Sequence, residues 1–170
     1  MPTKHTGLVT FQGGPLTLVG NEVKVGDKAP NFKIANGLAE FAELSDYADQ
    51  TVVLSVVPSL DTGVCNAQSR RFNEIAGELG DAAVVLTVSM DLPPAQGRWA
   101  EEAEAENLTC LSDYRDHSFG LSYGVRINEL GILARSVWVV KDGTVVYKQI
   151  VPETVDEPDY DAAVAAVRGA

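Results

Sequence analysis

Two short valine-rich runs constrain this chain most. Thr51–Val57 (TVVLSVV) and Ala82–Val88 (AAVVLTV) are too short for ordinary helices. They are also too evenly apolar for strands with one wet face. They read as central strands covered on both sides, the usual condition of a parallel sheet. Between them Phe72, Ile75, Ala76 and Leu79 recur at helical spacing, and Gly80 is placed to end the helix. A strand, a helix and a second strand imply a right-handed crossover.

The rest of the chain fits around that unit. Residues 7–19, GLVTFQGGPLTLV, read as a hairpin turning at Gly13-Gly14. Pro93–Ala105 is rich in Ala and Glu and reads as an exposed helix, and Leu108–Leu111 as a third strand. Ser136–Val140 and Thr144–Ile150 flank Asp142-Gly143, a second hairpin signal. Asp159–Val167 closes the chain as a helix. The expected fold is α/β: a mixed central sheet flanked by helices, with an N-terminal β-hairpin, in a single domain over residues 1–170.

Charge narrows the partners. With 13 basic and 24 acidic residues, the net charge of -11 repels phosphate backbones and anionic lipid, so neither nucleic acid nor membrane is expected. No apolar run is long enough for a transmembrane helix. The opening MPTKHTGLVTFQGG lacks the apolar core of a secretory signal, so a cytoplasmic location is expected. The two cysteines, Cys65 and Cys110, have no CxxC spacing, and only His5 and His117 are present to join them. Neither a disulfide scaffold nor a metal site is expected.

Cys65 sits where chemistry is plausible. The first strand ends at Pro58, and a helix starts near Asp61–Val64 with Asp61 or Thr62 as its N-cap. Cys65 then falls in the first turn, where unpaired N–H groups and the helix dipole favour an anion such as a thiolate. Arg70 and Arg71 are expected to be mostly solvated. Free cysteine is also among the most buried residue types, so a packed, inert Cys65 is the plain alternative. Its corner position favours the reactive reading, because ligands bind at strand ends in open α/β sheets.

Pro58, Thr62 and Cys65 form P-x-x-x-T-x-x-C. Together with PSLDTGVCNAQSRRFNE, DLPPAQGRW, LARSVWVVKDG and VPETVDEPDYDAA, the chain resembles the thiol peroxidase subfamily of the peroxiredoxins, of the atypical 2-Cys type. The resemblance implies a thioredoxin-like fold and reduction of hydrogen peroxide or organic hydroperoxides, with no cofactor. Cys65 corresponds to the peroxidatic cysteine, which becomes a sulfenic acid. Thr62 corresponds to the hydroxyl that bonds thiolate and peroxide, Pro58 to the residue that shields the site, and Arg135 to the arginine that stabilises the thiolate. Taken singly, Thr62 reads as a cap, Pro58 as a strand terminator and Arg135 as a solvated strand-end residue.

The chain departs from the subfamily at Ala100, where a resolving cysteine usually stands. Cys110 is the internal candidate for that role, against the plainer reading of a buried strand thiol. The expectation is a single-cysteine cycle in which thioredoxin or a low-molecular-weight thiol attacks the Cys65 sulfenic acid. The resemblance also implies a homodimer, with Trp99 or Tyr123 as candidate exposed contacts. A redox-inactive thioredoxin-fold binding module is the alternative. A thiol–disulfide oxidoreductase ranks last, because GVCNAQ offers no second cysteine.

Overall fold

The computed structural model describes residues 2–169. Its N-terminal hairpin pairs β1 (Lys4–Phe11) with β2 (Gly14–Val19). The turn is Gln12-Gly13, with φ of 49° and 82°, while Gly14 already pairs with Phe11. The glycine pair therefore sits one residue later than the turn it signalled, and Gln12 takes the left-handed position instead.

Two strands of three residues follow, β3 (Lys33–Ala35) and β4 (Phe41–Glu43). Then come β5 (Val52–Val56), α1 (Gly63–Leu79) and β6 (Val84–Ser89). After them lie α2 (Pro93–Glu102), β7 (Thr109–Ser112), α3 (Ser118–Tyr123) and β8 (Arg126–Ile127). The hairpin β9 (Ser136–Lys141) and β10 (Thr144–Ile150) precedes α4 (Tyr160–Val167). Its turn is Asp142-Gly143, both in the left-handed region, as the sequence indicates.

Among the described residues the strands form two sheets. The larger runs β10-β9-β5-β6-β7-β3-β4, and the smaller β1-β2-β8. The pairs β5–β6 and β6–β7 are parallel, while β9 is antiparallel to β5. This is the expected mixed sheet, with helices packed against it and a hairpin at the N-terminus.

Alternation explains why the valine runs are apolar throughout. Val53, Val85, Val137 and Val139 pack with Phe72, Ile75 and Leu79 of α1 and Ala163 and Val167 of α4. Leu54, Val56, Leu86, Val88 and Trp138 pack on the opposite face with Phe32, Phe119 and Tyr123. Both faces are dry, so neither strand has a polar side to show. Gly80 closes α1 with φ of 53°, a conformation that costs glycine little.

Two sequence expectations need correction. The helix at Pro93 ends at Glu102 and is only half exposed, because Pro93, Gln96 and Trp99 are buried. Its Ala/Glu content hid a Gln/Trp stripe three residues apart. Trp99 and Tyr123 are 7% and 1% exposed, so neither is a surface contact. Tyr123 stacks on Phe119 and donates its hydroxyl to the Pro30 carbonyl.

At the end of β7, buried Asp113 accepts N–H bonds from Phe119 at 2.9 Å and Gly120 at 2.8 Å. These bonds fix the start of α3. Burial nevertheless pushes this carboxyl up to about 6.

Candidate active site

Strand registry brings the site together. In β5 and β9 Val56 lies opposite Ser136, and in β5 and β6 Val56 lies opposite Val88. The exit of β5, the exit of β6 and the entry of β9 therefore meet at one end of the sheet. That end carries the carboxyl termini of the parallel strands, where this architecture usually binds ligands.

Cys65 is the third residue of α1 and is completely buried. Two donors point at its sulfur: the Ser59 backbone N–H at 3.4 Å and Arg135 Nη2 at 3.4 Å. Arg135 stands immediately before β9 and is only 2% exposed, unlike a solvated strand-end arginine. Its other nitrogens are held in place. Nε donates to the Thr154 carbonyl at 3.0 Å, and Nη1 to Gln68 Oε1 at 2.9 Å. Gln68 Nε2 donates in turn to Ser55 Oγ at 3.0 Å. The guanidinium is thus anchored on two sides and aims its remaining edge at the sulfur.

The N-terminal hairpin supports this anchor from outside. Thr154 donates its N–H and its hydroxyl to the Thr10 carbonyl, each at 2.8 Å. The Glu153 carboxylate accepts from Gly13 N–H at 2.8 Å and Thr10 Oγ1 at 3.0 Å. N–H bonds from Val155 and Gly13 pull Glu153 down to about 2. Strand β1 therefore positions the loop that holds Arg135.

The loop after β5 has its own tether. Asp91, just past β6, accepts from Ser59 Oγ at 2.8 Å, Leu60 N–H at 2.8 Å and Ser89 Oγ at 2.7 Å. Pro58 is buried and lies against the cavity. Thr62 occupies the N-cap position but its side chain does not cap the helix. Its hydroxyl donates to the Ser59 carbonyl at 2.9 Å. Arg70 and Arg71 face away. Arg70 bonds Asn66, and Arg71 pairs with Glu74 and Glu78 on the surface.

A cavity of about 320 Å³ opens over this arrangement, lined by Pro58, Thr62, Val64, Arg135, Ile132 and Leu130, with Phe11 and Val155 at its rim. Its walls are almost wholly apolar apart from Arg135 and the hydroxyl groups. Clefts of about 560 and 500 Å³ lie elsewhere, beside β3–β4 and at the opposite end of β5. They are larger but touch none of the groups around Cys65, whereas Ser59 and Arg135, which donate to its sulfur, both line the smaller cavity.

Cys110 lies on β7, half-buried, and packs with Ala100 against the cluster that contains Cys65 and Trp99. Both cysteines are free thiols. Burial, then the negative charge of Asp91, pushes the Cys110 thiol up to about 12. A thiol so held is a poor nucleophile.

Sequence reasoning missed Gln68, Ser59, Asp91 and Thr154. Gln68 had a signal. The buried stripe of α1 extends back from Phe72 through Ser69 and Gln68 to Cys65, so a glutamine stands on the inward face. The roles of Asp91 and Thr154 depend on strand registry, which local spacing does not reveal.

Residues 24–164 match the family model described as Redoxin. The chain is 52% identical over 163 residues to a protein named thiol peroxidase from Listeria innocua, covering 95% of this chain and 98% of that one. It is 49% identical over 161 residues to the thiol peroxidase of Bacillus subtilis, covering 94% and 96%. Among solved structures it is similar to a peroxiredoxin-like protein from Aquifex aeolicus. That match has a TM-score of 0.88 and 40% identity, covering 97% and 98% of the two chains.

Proposed function

Since the chain belongs to the Redoxin family, we propose that Cys65 is the peroxidatic residue of a thiol-dependent peroxidase acting on hydrogen peroxide and organic hydroperoxides. The observation that carries this reading is the pair of fixed donors on Cys65, Ser59 N–H and Arg135 Nη2, beneath an apolar cavity.

The Cys65 thiolate attacks one peroxide oxygen, forming an S–O bond as the O–O bond breaks. Cys65 becomes a sulfenic acid, and the departing oxygen takes the electron pair and then a proton. Negative charge moves from sulfur to that oxygen, so donors already aimed at this point lower the barrier. Arg135 supplies permanently charged donors. Thr62 lines the cavity with a hydroxyl able both to accept and to donate. Pro58 and its apolar neighbours keep water out, and the same walls suit the organic part of a hydroperoxide.

Recycling needs two electrons. An external thiol, from thioredoxin or a small molecule, attacks the sulfenic acid, releasing water and leaving a mixed disulfide. A second thiol then restores Cys65. The raised thiol of Cys110 and the alanine at position 100 favour this single-cysteine cycle over internal resolution. A redox-inactive binding module would leave the donor arrangement around a buried sulfur without a purpose. The same reading carries a homodimer in the cytoplasm. Exposed Phe11, Leu130 and Val155 at the cavity rim are better candidates for the contact than Trp99 or Tyr123. Among the described residues, no helix is long and apolar enough to cross a membrane.

The decisive experiment compares the wild type with Cys65→Ser. One equivalent of hydrogen peroxide should add a single oxygen to Cys65 by intact mass and peptide mapping. Cys65→Ser should consume none, and unchanged consumption would refute the assignment.

A further inference from the structure

The cleft beside β3–β4 takes no part in the chemistry of Cys65, yet it lies at the same end of the sheet. Strand β7 runs parallel to β6 and ends at Ser112, which lines this cleft. Ligands in open α/β sheets gather at the carboxyl ends of parallel strands. A volume of about 560 Å³ is enough for a small organic molecule.

Its charge runs against that of the chain. The net charge is -11, but the cleft is lined by two cations, Lys33 and Arg115, and one acid, Asp116. Both cations converge on Phe41, a ring that is 42% exposed. Lys33 Nζ lies 5.6 Å from its centroid and Arg115 Cζ 5.0 Å. Register explains the first contact. Phe41 lies opposite Ala35, so Lys33 is its diagonal neighbour on one face of the sheet. An exposed ring attracts a cation only weakly, and two cations at one ring repel each other. Among the described residues neither cation pairs with a carboxylate, the ion pairs being those of Arg71. Ser118 belongs to the same wall, and its covered hydroxyl has no hydrogen-bond partner. The amides that open α3 add nothing here. Those of Ser118, Phe119 and Gly120 are already bonded to Asp116 and Asp113. The receptor is therefore made of side chains: a guanidinium, an ammonium and a hydroxyl, suited to an oxyanion.

We propose that this cleft binds a small phosphate ester. Arg115 and Lys33 hold the phosphate, Ser118 Oγ turns to donate to one of its oxygens, and the organic part lies against Phe41. A phosphate ester near neutral pH carries almost two negative charges and so answers both cations, where a carboxylate answers one. The site does not depend on the peroxidase reading.

Amide NMR titrations at constant ionic strength test it, with phenyl phosphate, inorganic phosphate and benzoate as probes. The spectra also show whether each variant is folded. Phenyl phosphate should shift the amides of Lys33, Phe41 and Arg115 saturably and leave those around Cys65 in place. Benzoate, with the same ring and one charge, should bind roughly tenfold more weakly, the scale of one charge-assisted hydrogen bond. Inorganic phosphate should also bind more weakly, because it lacks the ring. Arg115→Gln and Lys33→Gln should each weaken phenyl phosphate by roughly tenfold, and Ser118→Ala by roughly three- to tenfold. Asp116→Asn should tighten it. Shifts that never saturate, or affinity unchanged in both Arg115→Gln and Lys33→Gln, would overturn the site. Equal affinity for benzoate and phenyl phosphate would overturn the assignment to phosphate. Inorganic phosphate binding as tightly as phenyl phosphate would overturn the assignment to an ester.

Discussion

Arg135 Nη2 and Cys65 Sγ, 70 residues apart in sequence, are joined by a hydrogen bond of 3.4 Å. The contact exists because β9 runs antiparallel to β5 and starts where β5 ends. Gln68 and Thr154 fix the guanidinium, so its direction does not depend on a flexible side chain finding its place.

Replacing Arg135 by Ala should lower the second-order rate constant for peroxide by roughly 100-fold, the scale of losing an aimed donor at developing charge. Arg135→Lys retains the charge but not the fork, and should fall between. Gln68→Ala should cost roughly tenfold by loosening one side of the fork. Stopped-flow oxidation checks all three, with circular dichroism to show that each variant is folded.

Cys110 should be nearly inert to alkylation in the folded protein. With its thiol held near 12, iodoacetamide at pH 8 should label it roughly a thousandfold more slowly than an ordinary cysteine. In urea the difference should vanish. Cys110→Ser should leave peroxide consumption with an external thiol close to wild type, and quantitative mass spectrometry with turnover assays checks both.

Asp113 makes a contribution to stability that runs against the usual carboxylate trend. Its folded value, about 6, lies above the roughly 3.9 of an unfolded aspartate. Between these values the folded chain holds a proton that the unfolded chain has released. Stability is therefore lost as pH rises from roughly 4 through 6, on the order of 2–3 kcal/mol in total, and the contribution is level above about 7. Asp113→Asn removes this titration. The wild-type Tm should fall relative to the variant across that window, measurable by calorimetry.

Glu153 acts at a distance through the hairpin. Glu153→Gln weakens the bonds from Gly13, Thr10 and Val155 that tie β1 to the loop carrying Thr154. Peroxide reactivity should drop several-fold, roughly the effect of one or two hydrogen bonds, while thiol labelling of Cys110 stays slow. An unaltered peroxide rate would show that the hairpin does not support Arg135.

Much of this architecture is visible in the chain before folding. The strands β5 and β6, helix α1 and the turn at Asp142-Gly143 follow from runs, periodicity and turn residues. Strands β3 and β4 do not, because three residues are too few for alternation to register. Helix α3 is six residues long and flanked by left-handed His117 and Gly124, and the carboxylate that holds its start, Asp113, stands too far back in the chain to read as a cap. At the site, Cys65 is legible from its corner. Arg135 is placed by resemblance, since nothing local distinguishes a buried arginine from a solvated one. Ser59 contributes a main-chain donor, and main-chain direction leaves no mark on residue identity.

The carboxylate of Asp91 gathers Ser59, Leu60 and Ser89 onto one pair of oxygens. It thereby welds the segments leaving two neighbouring strands into a single rigid lip. A change at position 91 would loosen the Ser59 amide that addresses the sulfur while leaving the thiol and the arginine with their own partners. Evolutionary tuning of such a centre can thus be written in a residue that never meets the substrate.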